Sequence, residues 1–157
     1  MDRLTRRLAA LLLYLASATL AAAEFAPAQL KGFPRDTLQV EAGAASTTLQ
    51  IWVADTPDHQ QQGLMFLTEL PSGYGMLFPL ETPRIMTMWM KNTYVSLDMV
   101  FIGTDGRVLR IARDTKPLSE DIISSGVPVA AVLELRAGES KRLGLKNGSH
   151  IRHPAFR

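Results

Sequence analysis

Leu97-Asp98-Met99-Val100-Phe101-Ile102-Gly103-Thr104-Asp105-Gly106-Arg107-Val108-Leu109-Arg110-Ile111-Ala112 is the stretch whose reading settles the fold class. Leu97–Ile102 is apolar apart from Asp98 and has the length of one strand. Thr104-Asp105-Gly106 is turn chemistry, because Asp bonds its own backbone and Gly accepts a positive φ. Arg107–Ala112 is then the antiparallel return of a β-hairpin.

The same short-strand grammar extends to both sides. Leu49, Ile51 and Val53 alternate with Thr48, Gln50 and Trp52, a period of two. Thr56-Pro57-Asp58 reads as a helix start, with Thr as cap, Pro in the first turn and Asp against the dipole; Gly63 ends that short helix. Residues 70–75 form a loop before the apolar Met76-Leu77-Phe78, and Ile85–Met90 is a further strand. Lys91-Asn92-Thr93 breaks it, residues 113–126 are polar and irregular, and Val127–Leu135 is a central strand. Lys141–Leu145 and Ser149–Arg152 flank Asn147-Gly148, a hairpin signal. Residues 24–46 form an N-terminal arm, with an edge strand over Phe33–Val40. Residues 47–157 then make a single mainly β domain, an antiparallel sandwich or distorted barrel with one short helix near 57–63. No neighbouring strands show the helical crossover that parallel pairing needs.

Composition narrows the chemistry. The 157 residues suit one domain, and the absence of cysteine excludes thiolate zinc sites, iron–sulfur clusters, disulfides and cysteine nucleophiles. Residues 1–23 read as a secretory signal: Arg3, Arg6 and Arg7, an uncharged run over Leu8–Leu20, then Ala21-Ala22-Ala23. The run falls short of the roughly 20 residues of a membrane span. Cleavage after Ala23 is expected, an uncleaved anchor being the alternative, so no membrane span is left in the mature chain. Cysteine-free export fits the oxidising bacterial periplasm. The signal holds three of the 17 Lys and Arg and one of the 15 Asp and Glu, which leaves 14 of each and a formally neutral mature chain. Neutrality argues against nucleic acid as a partner. Oligomeric state is not legible.

Gly63-Leu64-Met65, Gly75-Met76-Leu77-Phe78, Trp89-Met90-Lys91-Asn92-Thr93, Leu97-Asp98, Phe101-Ile102 and Leu133-Glu134-Leu135-x-Ala137-Gly138 follow one another in order. In these motifs, from about Thr47 to Ile151, the chain resembles domain-of-unknown-function family 192, also called uncharacterised protein family 0127. The resemblance implies a small β-rich domain, often exported or membrane-tethered, and carries no activity. The family pattern has Arg where Gln60-Gln61-Gln62 stands, Arg where Leu67 stands, Pro at Ser96 and Asp at Ser149.

Trp89, Lys91, Asn92, Thr93 and Asp98 form the candidate ligand site. Lys91 offers a charge, Asn92 a two-way hydrogen bonder and Trp89 an apolar wall for a small polar or anionic ligand, with Glu134 and the 113–126 loop as its closure. The competing reading has Asp98 simply tying down its own turn. Asp98, Glu134 and Lys91 are also the candidate catalytic set of a hydrolase, the carboxylates as acid and base and the ammonium polarising the substrate. A purely structural or interaction module is the third reading, so the sequence leaves enzyme status open. His59, His150 and His153 read as exposed histidines, and Met86, Met88 and Met90 as core or pocket lining in preference to a copper(I) site. Neither metal nor cofactor is expected.

Overall fold

The computed structural model describes residues 24–156. The signal reading of residues 1–23 lies outside the described residues. Seven strands, β1 (Arg35–Ala42), β2 (Ala45–Val53), β3 (Tyr74–Met88), β4 (Leu97–Ile102), β5 (Val108–Ala112), β6 (Ile123–Arg136) and β7 (His150–Arg152), carry two short helices, α1 (Pro57–Gln62) and α2 (Glu139–Arg142). They form one sheet in the order β5-β4-β6-β3-β2-β1-β7. The fold is therefore mainly β, a sheet curled into a half-barrel.

The β4–β5 hairpin forms as its turn chemistry predicts, Gly106 taking φ +76°. Period-two alternation sorts the apolar residues onto two faces. Leu38, Leu49, Leu77, Val100, Val108, Leu133 and Ile151, one from each strand, meet on the concave side. Trp52, Phe78, Phe101 and Val132 face the other way, under Leu64, Leu67 and Leu70 from the segment after α1. β4 is buried on both faces, which explains its unbroken apolar run.

The sheet almost closes on itself. His150 of β7 bridges to Arg107 beside β5. The Val108 N–H donates to Ser149 O at 2.8 Å, and the Ile151 N–H to Gly106 O at 2.8 Å.

Four sequence expectations change. β2 and β3 pair in parallel, Gln50 opposite Tyr74, where antiparallel neighbours only were expected. α1 and the loop from Gly63 to Gly73 together supply the crossover, long enough although most of it is irregular. The 141–145/149–152 hairpin does not form. Asn147-Gly148 does turn, but Glu139–Arg142 is helical, Leu143 and Leu145 go into the core, and β7 pairs with β1. That pairing also covers β1, so the strand expected at an edge is internal. β3 runs on through the expected break after Phe78, absorbing it as a register shift between Pro79 and Arg84 against β6.

Candidate functional site

α1 forms because its ends are satisfied locally. Thr56 Oγ1 accepts the His59 N–H at 3.1 Å, and Gly63 ends the helix at φ +50°. Leu64 and Leu67 then plunge into the core, leaving Met65 half-buried and Phe66 exposed. Phe66 takes φ +64° and donates its N–H to Asn92 O at 2.8 Å, while Asn92 itself takes φ +53°. Two left-handed residues thus lock the post-helix loop onto the Trp89–Thr93 segment. A weak contact from Asn92 Nδ2 to Met65 Sδ, 3.9 Å, lies on the same join. Thr93 is buried, its hydroxyl donating to Lys91 O at 3.1 Å and its carbonyl accepting from Leu118 N–H at 3.1 Å.

This lock borders a cleft. Its inner part, about 80 Å³, is lined by Gln60–Gln62, Met65, Met86, Met88, Trp89, Thr93 and Glu134, among others. An adjoining outer hollow of about 430 Å³ shares Gln61, Gln62, Met65 and Trp89 and adds Phe66, Lys91 and Asn92. Trp89 is 42% exposed, with the Lys91 ammonium 5.1 Å from its ring centre. Phe66 and Tyr94, both half-exposed, meet edge to face at 6.3 Å.

Glu134 lies on the cleft floor. Register places it between Met76 of β3 and Met99 of β4. Gly75 makes room for β6 here, since a Cβ on it would come within 2.8 Å of Glu134 O. The residue is 4% exposed, and among the described residues its carboxyl takes part in no hydrogen bond or ion pair. No sealed side-chain oxygen or nitrogen among the described residues lacks a partner, so the Glu134 oxygens must touch the cleft. Burial pushes this carboxyl up to about 8, leaving it mostly the neutral acid at neutral pH.

Asp98 is elsewhere. It pairs in register with Leu135, on the concave face, whereas Glu134 pairs with Met99 on the other. Asp98 is fully buried and accepts from Asp114 N–H at 2.9 Å, Ser140 N–H at 3.1 Å and Ser140 Oγ at 2.6 Å. Arg113 extends the cluster, donating to Ser140 Oγ at 3.1 Å and to Leu145 O at 2.9 Å. Asp98 therefore ties α2 and the segment after β5 to β4.

The structure brings Trp89, Lys91, Asn92, Thr93 and Glu134 to one cleft and leaves Asp98 out. The trio of Lys91, Asp98 and Glu134 expected for hydrolysis is not assembled, because the carboxylates lie on opposite sheet faces. Nor does the 113–126 loop close the cleft: Met90 N–H donates to Ser119 O at 2.9 Å, and Thr115 Oγ1 donates to Leu97 O at 2.9 Å, outside its lining. The histidines stay apart from the cleft, His59 with Asp55, His150 with Glu41 and His153 with Asp36. No three His, Asp or Glu side chains gather as a metal site among the described residues. Sequence reasoning missed Gln61, Gln62, Met65 and Phe66. The signal was the capped helix itself, whose exit at Gly63-Leu64-Met65 must lie over the sheet once β2 and β3 run parallel.

Comparison with known proteins fits this geometry. The sequence profile of the DUF192 family, described as Uncharacterized ACR, matches residues 38–153. The chain belongs to the DUF192 family. A Sinorhizobium meliloti protein, provisionally described as a transcription regulator, is 38% identical; the match covers 79% of this chain and 97% of that one, with a TM-score of 0.77. A Novosphingobium aromaticivorans protein of unknown function is 34% identical over 85% of this chain and 94% of its own, also with a TM-score of 0.77. No curated protein matches. Among the described residues no helix is long and apolar enough to cross a membrane.

Proposed function

We propose that this DUF192 protein is exported to the periplasm by residues 1–23 and there binds a small polar ligand in the cleft between α1 and Trp89–Thr93. One observation carries the reading: a buried carboxyl, Glu134, with no partner among the described residues, lies on the cleft floor. Unpaired buried carboxyls are costly, and folds ordinarily supply them with partners. A carboxyl placed like this is satisfied by a ligand in one of two ways: neutral, it donates to an acceptor; ionised, it balances a cation. Around it stand the features of a small-molecule site, an aromatic wall in Trp89, thioethers, and a few polar groups in Gln61, Gln62 and Lys91. The sites of Asp98 and Glu134 support binding rather than paired acid–base chemistry, since no common substrate reaches both.

A thermal-shift panel of small polar compounds, anions and cations tests the reading. A true ligand at about 100 times its Kd stabilises the fold by roughly 2.7 kcal/mol. The expected ligand raises the melting temperature of the wild type and not of Trp89→Ala or Glu134→Leu. A panel without a stabilising compound, or stabilisation that survives both substitutions, overturns it.

A further inference from the structure

We propose that the floor of this cleft is a soft-cation site, in which the thioethers of Met65, Met86 and Met88 and the carboxylate of Glu134 hold one Cu(I) or Ag(I) ion. The inference rests on reading the cleft as a ligand site and names what reaches its floor.

The donor chemistry comes first. With no cysteine in the chain, methionine is its only sulfur donor. Thioethers select soft monovalent ions over the hard cations that oxygen ligands hold. Placement comes second. Met86 and Met88 alternate along β3 and so share one side of it. Met65 enters from the opposite wall, behind α1, and all three line the same cleft of about 80 Å³. That volume suits an ion more than a drug-sized molecule. The other methionines of residues 24–156 do not reach the cleft: Met76, Met90 and Met99 are all sealed in the core.

Charge comes third. Three thioethers are neutral donors, so a cation held by them alone would sit unbalanced in a largely buried site. Glu134, nine-tenths buried and aimed into the same space, supplies a single negative charge as the ion displaces its proton to solvent. Among the described residues nothing offers it a counter-charge: Gln60, Gln61 and Gln62 bring neutral amides, and the Lys91 ammonium is placed over Trp89. One carboxylate and one monovalent ion balance each other.

Silver(I) nitrate in chloride-free buffer is the probe, titrated into the purified full-length protein and followed by native mass spectrometry and calorimetry. The expected result is one Ag(I) per chain. The double variant Met86→Leu/Met88→Leu, which conserves side-chain volume, should keep its metal-free melting temperature and lose affinity at least tenfold. Glu134→Gln should weaken binding by a similar factor, and Met90→Leu, outside the cleft, should leave it unchanged. Absence of a bound ion, retention of affinity in the double variant, or equally tight Zn(II) or Ca(II) binding overturns the inference. If polar compounds still stabilise the protein through Trp89 and Glu134 while Ag(I) does not bind, only this inference falls. If neither binds, the cleft reading falls with it.

Discussion

Glu134 near the end of β6 and Glu139 at the start of α2 are close in sequence and both out of water, yet they titrate in opposite directions. Glu139 is fully buried. Burial alone would raise it, but hydrogen bonds from Arg142, the Gly73 N–H and Ser72 overcome that and hold it down at about 2. Glu134 has burial without a donor among the described residues and is pushed up to about 8. What separates a structural carboxylate from a candidate functional one here is the donor set the chain spends on it, not its depth. Asp98 falls on the Glu139 side of the line, with three donors of its own.

The strongest way to break this comparison is to treat Asp98 as a binding residue. Asp98→Ala strands the buried N–H and hydroxyl of Ser140 and the part-buried N–H of Asp114, and should cost roughly 3–5 kcal/mol in urea unfolding. A cost near zero would return Asp98 to the candidate ligand set. Glu139→Gln should cost less, about 2 kcal/mol, because its arginine partners are half-exposed and screened. Its contribution in the wild type is present above the unfolded value near 4.5 and is lost as pH falls towards 2, so the variant should flatten the acid limb of the stability curve.

Glu134 should behave in reverse. Its folded value is raised, so the stability it confers is complete below about 4.5 and is lost as pH climbs through 8. Glu134→Gln should therefore be more stable than the wild type at about pH 9, by roughly 2 kcal/mol where water reaching the cleft offsets part of the full linkage. Equal alkaline slopes in the two proteins would show that Glu134 has a partner after all. The smallest expected effect on stability is Trp89→Ala, within about 0.5 kcal/mol as for other exposed sites. Its effect should appear only in ligand-induced stabilisation.

Much of the frame was legible beforehand. The 97–112 hairpin, the alternating 47–53 strand and the Thr56-capped helix all rest on local chemistry, and each formed. The parallel β2–β3 pair was not legible, because its crossover is mostly the irregular 63–73 loop with no period to read. Asn147-Gly148 turned as expected, yet burial of Leu143 and Leu145 decided which strand β7 would meet. For the candidate site, Trp89, Lys91, Asn92 and Thr93 of the motif do line one cleft. Asp98 misled because its partner Ser140 lies 42 positions away, a distance no local pattern encodes. The glutamines at 60–62, where the family pattern carries an arginine, gained meaning only when the fold set them around Glu134.

The seam between β7 and the β4–β5 turn has a consequence for how the chain matures. Every other strand can pair without His150–Arg152, so a folding chain carries an unsatisfied β1 border until that segment docks. Such borders recruit other chains, and long-range closures are slow. Self-association should therefore be greatest in the partly folded chain whose β1 border still waits for this strand.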